Sequence, residues 1–211
     1  LAGGNNSRMG SLSDKRAIAA MPIAGSYRAI DFTLSNMTNS HIQTVAVLSQ
    51  YNARSLNEHL NSSKWWNFGR KQGGLFLFTP TVTADNSWWY RGTADAMWQN
   101  IDFLKRRHEP YVVIANGDCV YKVDFNDVLD FHIQKGSNIT VVCAKVPDGD
   151  DVNRYGVVKM DNDAQITDFE EKPMMAHSNI VSTGIYVIRR RTLIELLEQC
   201  NREGRYNFVT D

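Results

Sequence analysis

The sequence predicts an α/β fold: a Rossmann-like, doubly wound and mostly parallel sheet with a small antiparallel extension. Short apolar runs rich in β-branched residues, amphipathic helical patterns between them, and a later cluster of strand candidates joined by polar turns carry that prediction.

The apolar runs are TVAVLS at 44–49, YVVIAN at 111–116 and ITVVCA at 139–144. Each is apolar on both faces, as buried parallel strands are. Between and after them lie helix candidates. The stretch 93–107 places Met97, Ile101 and Leu104 in one apolar stripe. Stretches 124–135 and 192–200 read the same way, with Leu193, Leu196 and Leu197 facing inward in the second. Strands alternating with helices imply crossovers and a doubly wound sheet, with ligands at the carboxyl ends of the strands. From 155 to 187 the pattern changes to strand candidates at 156–160, 166–169 and 182–187, a small antiparallel patch able to form the second wall of a cleft.

At 211 residues and 43% hydrophobic, the chain supports one sizeable core and one domain over 1–211. No internal repeat or proline-rich linker divides it. The 23 basic and 23 acidic residues balance, so no overall field draws the chain to nucleic acid or to an anionic membrane. A small phosphorylated ligand gripped locally fits better. Cys119, Cys143 and Cys200 form no CxxC pair and read as reduced thiols in or near the core, as expected in a cytoplasm. No apolar run approaches the roughly 20 residues of a membrane span. Both ends read as cut: the loop at Gly3-Gly4 follows Leu1 with no complete strand to deliver it, and no closing element follows the polar segment 201–207.

Five segments carry chemistry. Gly3-Gly4, followed by Ser7 and Arg8, lets backbone amides, a hydroxyl and a guanidinium approach a phosphate, although a plain turn has the same composition. Lys15, Arg16 and Arg28 offer cations to a triphosphate or an anionic effector, or form a solvated charged loop. The segment from Trp88 to Ala96 opens a helix at Gly92-Thr93, where unpaired amides can take an anion and aromatics supply a flat surface; a hydrophobic staple or an oligomer contact is the alternative. Asp118, in Asn116-Gly117-Asp118 directly after an apolar strand, stands where a carboxylate can hold Mg²⁺, or simply form a turn. Finally, Glu170-Glu171-Lys172-Pro173 and the following Ser182-Thr183-Gly184 supply an acid for sugar hydroxyls and a lysine for a phosphate, or a surface loop.

In this order and spacing the segments LAGG…SR, KRA…YRAIDFTLSNM, SQY, WYRGTADA, NGD, YGVV, FEEKP and STGIYV resemble the ADP-glucose pyrophosphorylase (glucose-1-phosphate adenylyltransferase) family across essentially the whole chain. The resemblance implies a fold of the nucleotide-diphospho-sugar transferase type and a nucleotidyltransferase domain spanning 1–211, with a C-terminal β-helix domain beyond it. It implies transfer of the adenylyl group of ATP to glucose 1-phosphate with release of pyrophosphate, for glycogen or starch synthesis. Gly3, Gly4 and Arg8 would hold the triphosphate, with Arg8 and Asp118 catalytic and Asp118 on Mg²⁺. Tyr90, Gly92, Gly156, Glu171, Lys172 and Ser182 would line the glucose 1-phosphate and product site. Lys15, Arg16 and Arg28 match effector positions, and Gln50 and Trp89 match positions that relay the effector signal. Cytoplasmic homo- or heterotetramers under metabolite control are implied as well.

Two departures stand out. Asn6 replaces the third glycine of the family's loop, and Asn tolerates a left-handed backbone better than most residues. Ile18 replaces a lysine that in catalytic members stabilises the transition-state phosphates; losing one such donor costs about 10²- to 10³-fold in rate. Together with GRKQGGLFLFTP at 69–80, these favour an alternative, a catalytically weak regulatory subunit of the same enzyme. A dinucleotide-dependent oxidoreductase is disfavoured because no GxGxxG follows an intact strand.

Overall fold

A computed structural model describes residues 1–4, 7–62, 66, 68, 73–83 and 89–211, and omits the side chains of Ser7, Arg8 and Ser62. A short hairpin, β1 (Pro22–Ile23) and β2 (Tyr27–Arg28), leads into α1 (Ala29–Asn39). There follow β3 (Thr44–Leu48), α2 (Ala53–Ser62), β4 (Gly74–Phe78), α3 (Thr93–Trp98), α4 (Ile101–Lys105) and β5 (Tyr111–Ile114). The rest of the chain forms α5 (Phe125–Lys135), β6 (Ile139–Lys145), β7 (Gly156–Met160), β8 (Ile166–Glu171), β9 (Ile180–Arg189) and α6 (Arg190–Glu203).

The α/β class read from the apolar runs holds, with one parallel pair and two antiparallel sheets. β3 and β4 pair in parallel. β5 and β6, expected as parallel strands, flank β9, and both run antiparallel to it. An apolar run says only that both faces of a strand are buried; it is silent on the direction of the partner. The 156–187 patch is antiparallel as expected, with β7 between β8 and β9. Its last strand is longer than the sequence suggested and forms the centre of the main sheet rather than an appendage.

Local chemistry explains the helix limits. The Asp124 carboxylate accepts from Asn126 N at 2.9 Å and starts α5, and Gly136 ends it in the left-handed region at φ 61°. α6 ends in the same way at Gly204, φ 68°. The single helix expected over 93–107 is broken after Trp98, because the Asn100 side chain donates back to Ala96 O at 2.9 Å and competes with the ladder. Met97, Ile101 and Leu104 still face one apolar cluster, shared with Ile188, Leu193 and Leu197. A second cluster joins Ile30, Leu34, Val45, Val47, Leu56 and Phe125. All three cysteines are free, as expected, but Cys119 is exposed rather than near the core. No described helix is long and apolar enough to cross a membrane.

His132 on α5 is 1% exposed, with Nδ1 2.8 Å from Thr140 Oγ1, its ring edge-on to Tyr111, and Nε2 without a hydrogen-bond partner among the described residues. Burial, and then the nearby Arg189, hold its pKa below the ordinary imidazole value. The unfolded chain therefore takes up this proton at a higher pH than the folded one does. The resulting stability is fully present above about pH 6.5, the unfolded value, and is lost as the pH falls from there through the lower pKa of the folded state. Thermal melts at pH 8 and pH 5.5 should show a smaller acid-induced drop in Tm for His132→Gln than for the parent chain; equal drops would assign the acid response to other groups.

Candidate functional site

Three backbone bonds at the start of the chain set the frame of the site. Leu1 N donates to Ala115 O at 2.7 Å and Gly117 N donates to Leu1 O at 2.8 Å, the pattern of a parallel ladder beside β5. Ala2 N donates to Leu48 O at 2.8 Å, at the end of β3. The Gly3-Gly4 loop thus leaves the sheet at the carboxyl ends of β3 and β5. A Cβ on Gly3 would press on Gln50 N at 3.3 Å, whereas Gly4 faces open space.

Asn116-Gly117-Asp118 follows β5 at the same end. Thr33 on α1 donates to Asn116 O at 3.0 Å, and Gly117 packs closely on Ala2 and Ile30. Asp118 is exposed. The neighbouring Cys119 thiol donates to Asp118 Oδ1 at 3.6 Å; partial desolvation of the sulfur first, although the residue as a whole is exposed, and then the Asp118 charge push its pKa up to about 11. Gly184 on β9 lies against the Asn116 side chain and has φ 75°, a conformation and a closeness that favour glycine.

The residues expected on the sugar side gather next to it. Gly156 on β7 pairs with Glu171 on β8, and a Cβ there would overlap Phe169. Glu171 Oε1 lies 3.0 Å from Lys172 Nζ, and Lys172 adopts φ 51° while its N donates to Tyr155 O. Ser182 Oγ is 3.2 Å from Tyr186 OH and accepts from Gly184 N at 3.2 Å. Burial, foremost, and the charge of Glu171 hold the Tyr186 hydroxyl protonated well past neutral pH. Tyr186 was not singled out from the sequence, although STGIYV contains it; its spacing of four from Ser182 across a glycine was the available signal.

Gln50 and the loop before α3 are joined by two bonds. Gln50 Nε2 donates to Tyr90 O at 3.2 Å, and Tyr90 N donates to Gln50 Oε1 at 2.6 Å. Tyr51 and Trp89 stack at 6.5 Å between centroids, and Trp89 is 65% exposed. The Tyr90 ring turns inward at 9% exposure, among Leu48, Ile114 and Tyr186, and its hydroxyl accepts from Asn100. The expectation of free amides at the start of α3 is corrected: Ala94 N and Asp95 N both donate to Tyr206 O, and Phe208 N donates to Thr93 Oγ1 at 2.9 Å. Gly92 is needed here for the close approach of the Tyr206 carbonyl, which a Cβ would overlap. Arg91 lies over the Tyr206 ring at 3.8 Å and pairs with the buried Asp95 carboxylate at 2.9 Å.

Other expected residues stand apart. Lys15 and Arg16 are exposed, on a loop held by Asn52 donating to Ser13 O and Asp14 O. Arg28 N donates to Asp31 Oδ2 at 2.8 Å and opens α1. Ile18 is half-buried in a short turn beside the buried Ala19 and Ala20. The Arg8 side chain, Asn5, Asn6, Trp88 and 69–72 lie outside the described residues. Among the described residues no group of three or more His, Cys, Asp or Glu forms a metal cage.

Replacing Gly92 by Ala should separate the segment after α6 from α3. Hydrogen exchange at Ala94 and Asp95 should accelerate, and urea unfolding should register a loss of about 1–3 kcal/mol. Unchanged exchange at both amides would show that the segment tolerates the added carbon.

Comparison with known proteins agrees with this geometry. A family model described as nucleotidyl transferase matches residues 1–210. A glucose-1-phosphate adenylyltransferase of Pseudothermotoga lettingae is 45% identical over 213 aligned residues, covering 100% of this chain and 50% of the relative. Proteins of the same name from Lachnospira eligens and Clostridium acetobutylicum are 43% and 41% identical, covering 99% and 98% of this chain and 49% and 54% of their own lengths. The chain spans about half the length of the curated relatives it matches. The resemblance to the ADP-glucose pyrophosphorylase family thus holds on independent grounds, and the chain belongs to the nucleotidyl transferase family.

Proposed function

We propose that the protein containing this domain is a glucose-1-phosphate adenylyltransferase, joining ATP and glucose 1-phosphate to give ADP-glucose and pyrophosphate. One observation carries the reading. The Gly3-Gly4 loop, Asn116 to Asp118 and the Ser182 to Gly184 turn converge at one end of the strands, with Glu171 and Lys172 alongside. Open space at Gly4 leaves its backbone accessible to phosphate oxygens, with Arg8 following.

Asp118 is exposed at a strand end and offers one carboxylate. That fits Mg²⁺, which uses one or two protein carboxylates together with substrate phosphates and water. When bound, the ion would neutralise charge on the phosphates. Lys172, exposed beside Glu171, would exchange its carboxylate partner for the phosphate of glucose 1-phosphate, and Glu171 and Ser182 would orient sugar hydroxyls. Gly156 would keep the floor of that pocket free of side-chain bulk. Tyr90 and Gly92 would contribute through the backbone held by Gln50 and Tyr206 rather than through the Tyr90 ring. Lys15, Arg16 and Arg28 form the effector end of the proposal, Gln50 and Trp89 its relay, and a cytoplasmic tetramer its assembly.

The test is pyrophosphate release by the full-length protein supplied with ATP, Mg²⁺ and glucose 1-phosphate. Release requiring all three supports the reading, and none in any combination, including with Ile18→Lys, overturns it. Ile18→Lys should raise kcat by up to about 10²- to 10³-fold. Activity confined to that variant would give the parent chain the regulatory role. Lys172→Ala should raise KM for glucose 1-phosphate about tenfold or more while leaving KM for ATP within about twofold, as expected when a ground-state contact to one substrate is lost.

A further inference from the structure

The connection from β5 to α5, residues 115–124, carries Asp118. Among the described residues, no backbone–backbone hydrogen bond is made by residues 118–122. A segment with no ladder of its own is held by the side chains that reach it. Helix α1 supplies them. Thr33 Oγ1 donates to Asn116 O at 3.0 Å, two residues before Asp118, and Asn36 Nδ2 donates to Tyr121 O at 2.9 Å, three residues after it. Ser40, the C-cap of α1, donates to Asp124 Oδ1 at 3.1 Å and accepts from Phe125 N at 2.9 Å.

Thr33, Asn36 and Ser40 follow one another at spacings of three and four, so they form one stripe along the helix. All three are buried, beside the apolar stripe of Ile30, Leu34 and Met37. Burying polar groups is unfavourable unless each is bonded, and apolar residues would pack there without that requirement. Here every one is bonded, and all to the same connection, on both sides of Asp118. The helix is also fixed at its other end, where Asp31 accepts from Arg28 N at 2.8 Å and lies 2.6 Å from His59 Nε2 on α2. The stripe therefore stands on an element anchored in the core, not on one that moves with the turn.

We propose that Thr33, Asn36 and Ser40 are positioning residues for Asp118: through the backbone of 116–125 they hold the turn that presents its carboxylate. The bond from Thr33 fixes the carbonyl from which that turn departs. A turn free to pivot about Asn116 spends only a fraction of its time in the competent geometry, and the apparent affinity for an ion held there falls by that fraction. The inference rests on the role proposed for Asp118 and extends it to residues that touch neither substrate nor metal.

The test uses three variants of the full-length protein. Thr33→Val keeps the side-chain shape and removes the donor, Thr33→Ser restores the donor, and Ser35→Ala removes a bond to Trp66 elsewhere on the same helix. Amide exchange at Gly117, whose N donates to Leu1 O, should accelerate at least about fivefold in Thr33→Val and return towards the parent rate in Thr33→Ser. The dissociation constant of the Mn²⁺–ATP complex, read by water proton relaxation, should rise about three- to tenfold in Thr33→Val, with KM for glucose 1-phosphate within about twofold of the parent. Ser35→Ala should move neither. Parent-like exchange and Mn²⁺–ATP binding in Thr33→Val overturn the proposal, and so do equal changes in Ser35→Ala, which would assign Thr33 to general stability. Accelerated exchange rescued by serine, with no Mn²⁺–ATP bound by any form including the parent, upholds the positioning of the turn and counts instead against the metal role of Asp118. Should Thr33→Val not fold, Thr33→Ala, smaller and equally without the donor, is held to the same outcomes.

Discussion

Strand β9 is the member on which the arrangement of core and site both depend. Along one edge β6 follows it almost end to end. Along the other edge β5 pairs with residues 186–189 and β7 pairs at Val181, so 182–185 pair with neither. That interval is where Asn116, Ser182 and Glu171 converge. The opening is maintained by an irregularity: the β6 register shifts between Val142 and Cys143, Gly184 takes the left-handed conformation, and Thr183 Oγ1 donates to Val142 O at 2.7 Å. A bulge of this kind bends a strand without ending it. One half of β9 can then lie in the core, with Val187 and Ile188 fully buried, while the other half presents Ser182 to the cleft.

The sequence made the ingredients of this arrangement visible, but not its connectivity. The apolar runs located β3, β5 and β6 because burial on both faces leaves a mark on composition. β9 extends beyond the 182–187 candidate at both ends, and its bulge at Ser182-Thr183-Gly184 falls inside that candidate, where the composition gives no sign of it. β4 passed unnoticed within a stretch read only for its loop character, although Leu75, Phe76, Leu77 and Phe78 complete a parallel pair with β3. The helix break at Asn100 was hidden because Met97, Ile101 and Leu104 keep a helical spacing on both sides of it. A side-chain bond to Ala96 O adds no sign to a hydrophobic pattern.

The start of α3 illustrates a different limit. Gly92 and Thr93 carry the local signature of an open helix end, and that signature is ambiguous by nature, because unpaired amides donate to any correctly placed oxygen. The oxygen present is that of Tyr206, more than a hundred positions along the chain. Glycine is required on either account, since a carbonyl and a phosphate both demand close approach. Only the tertiary structure distinguishes a glycine that admits a ligand from one that admits the chain's own backbone.

The same consideration gives Gln50 a mechanical role. Its side-chain amide bonds both N and O of Tyr90, as a neighbouring strand would, so the end of β3 and the loop before α3 are coupled as if by a short ladder. Tyr51 and Trp89 stack across the same junction. On the far side, Asp95 accepts from Arg91 N at 2.8 Å and from the Arg91 guanidinium, which tethers the loop to the helix that follows. Gln50 lies directly beyond the strand that receives Ala2, and Gly3 touches it. A displacement of the Gly3-Gly4 loop would therefore be passed to Tyr90 and the stacked Trp89 through hydrogen bonds and close packing. Among the described residues Lys15 and Arg16 have no comparable tether, and their loop joins this junction through Asn52, which holds Ser13 O and Asp14 O from two residues beyond Gln50.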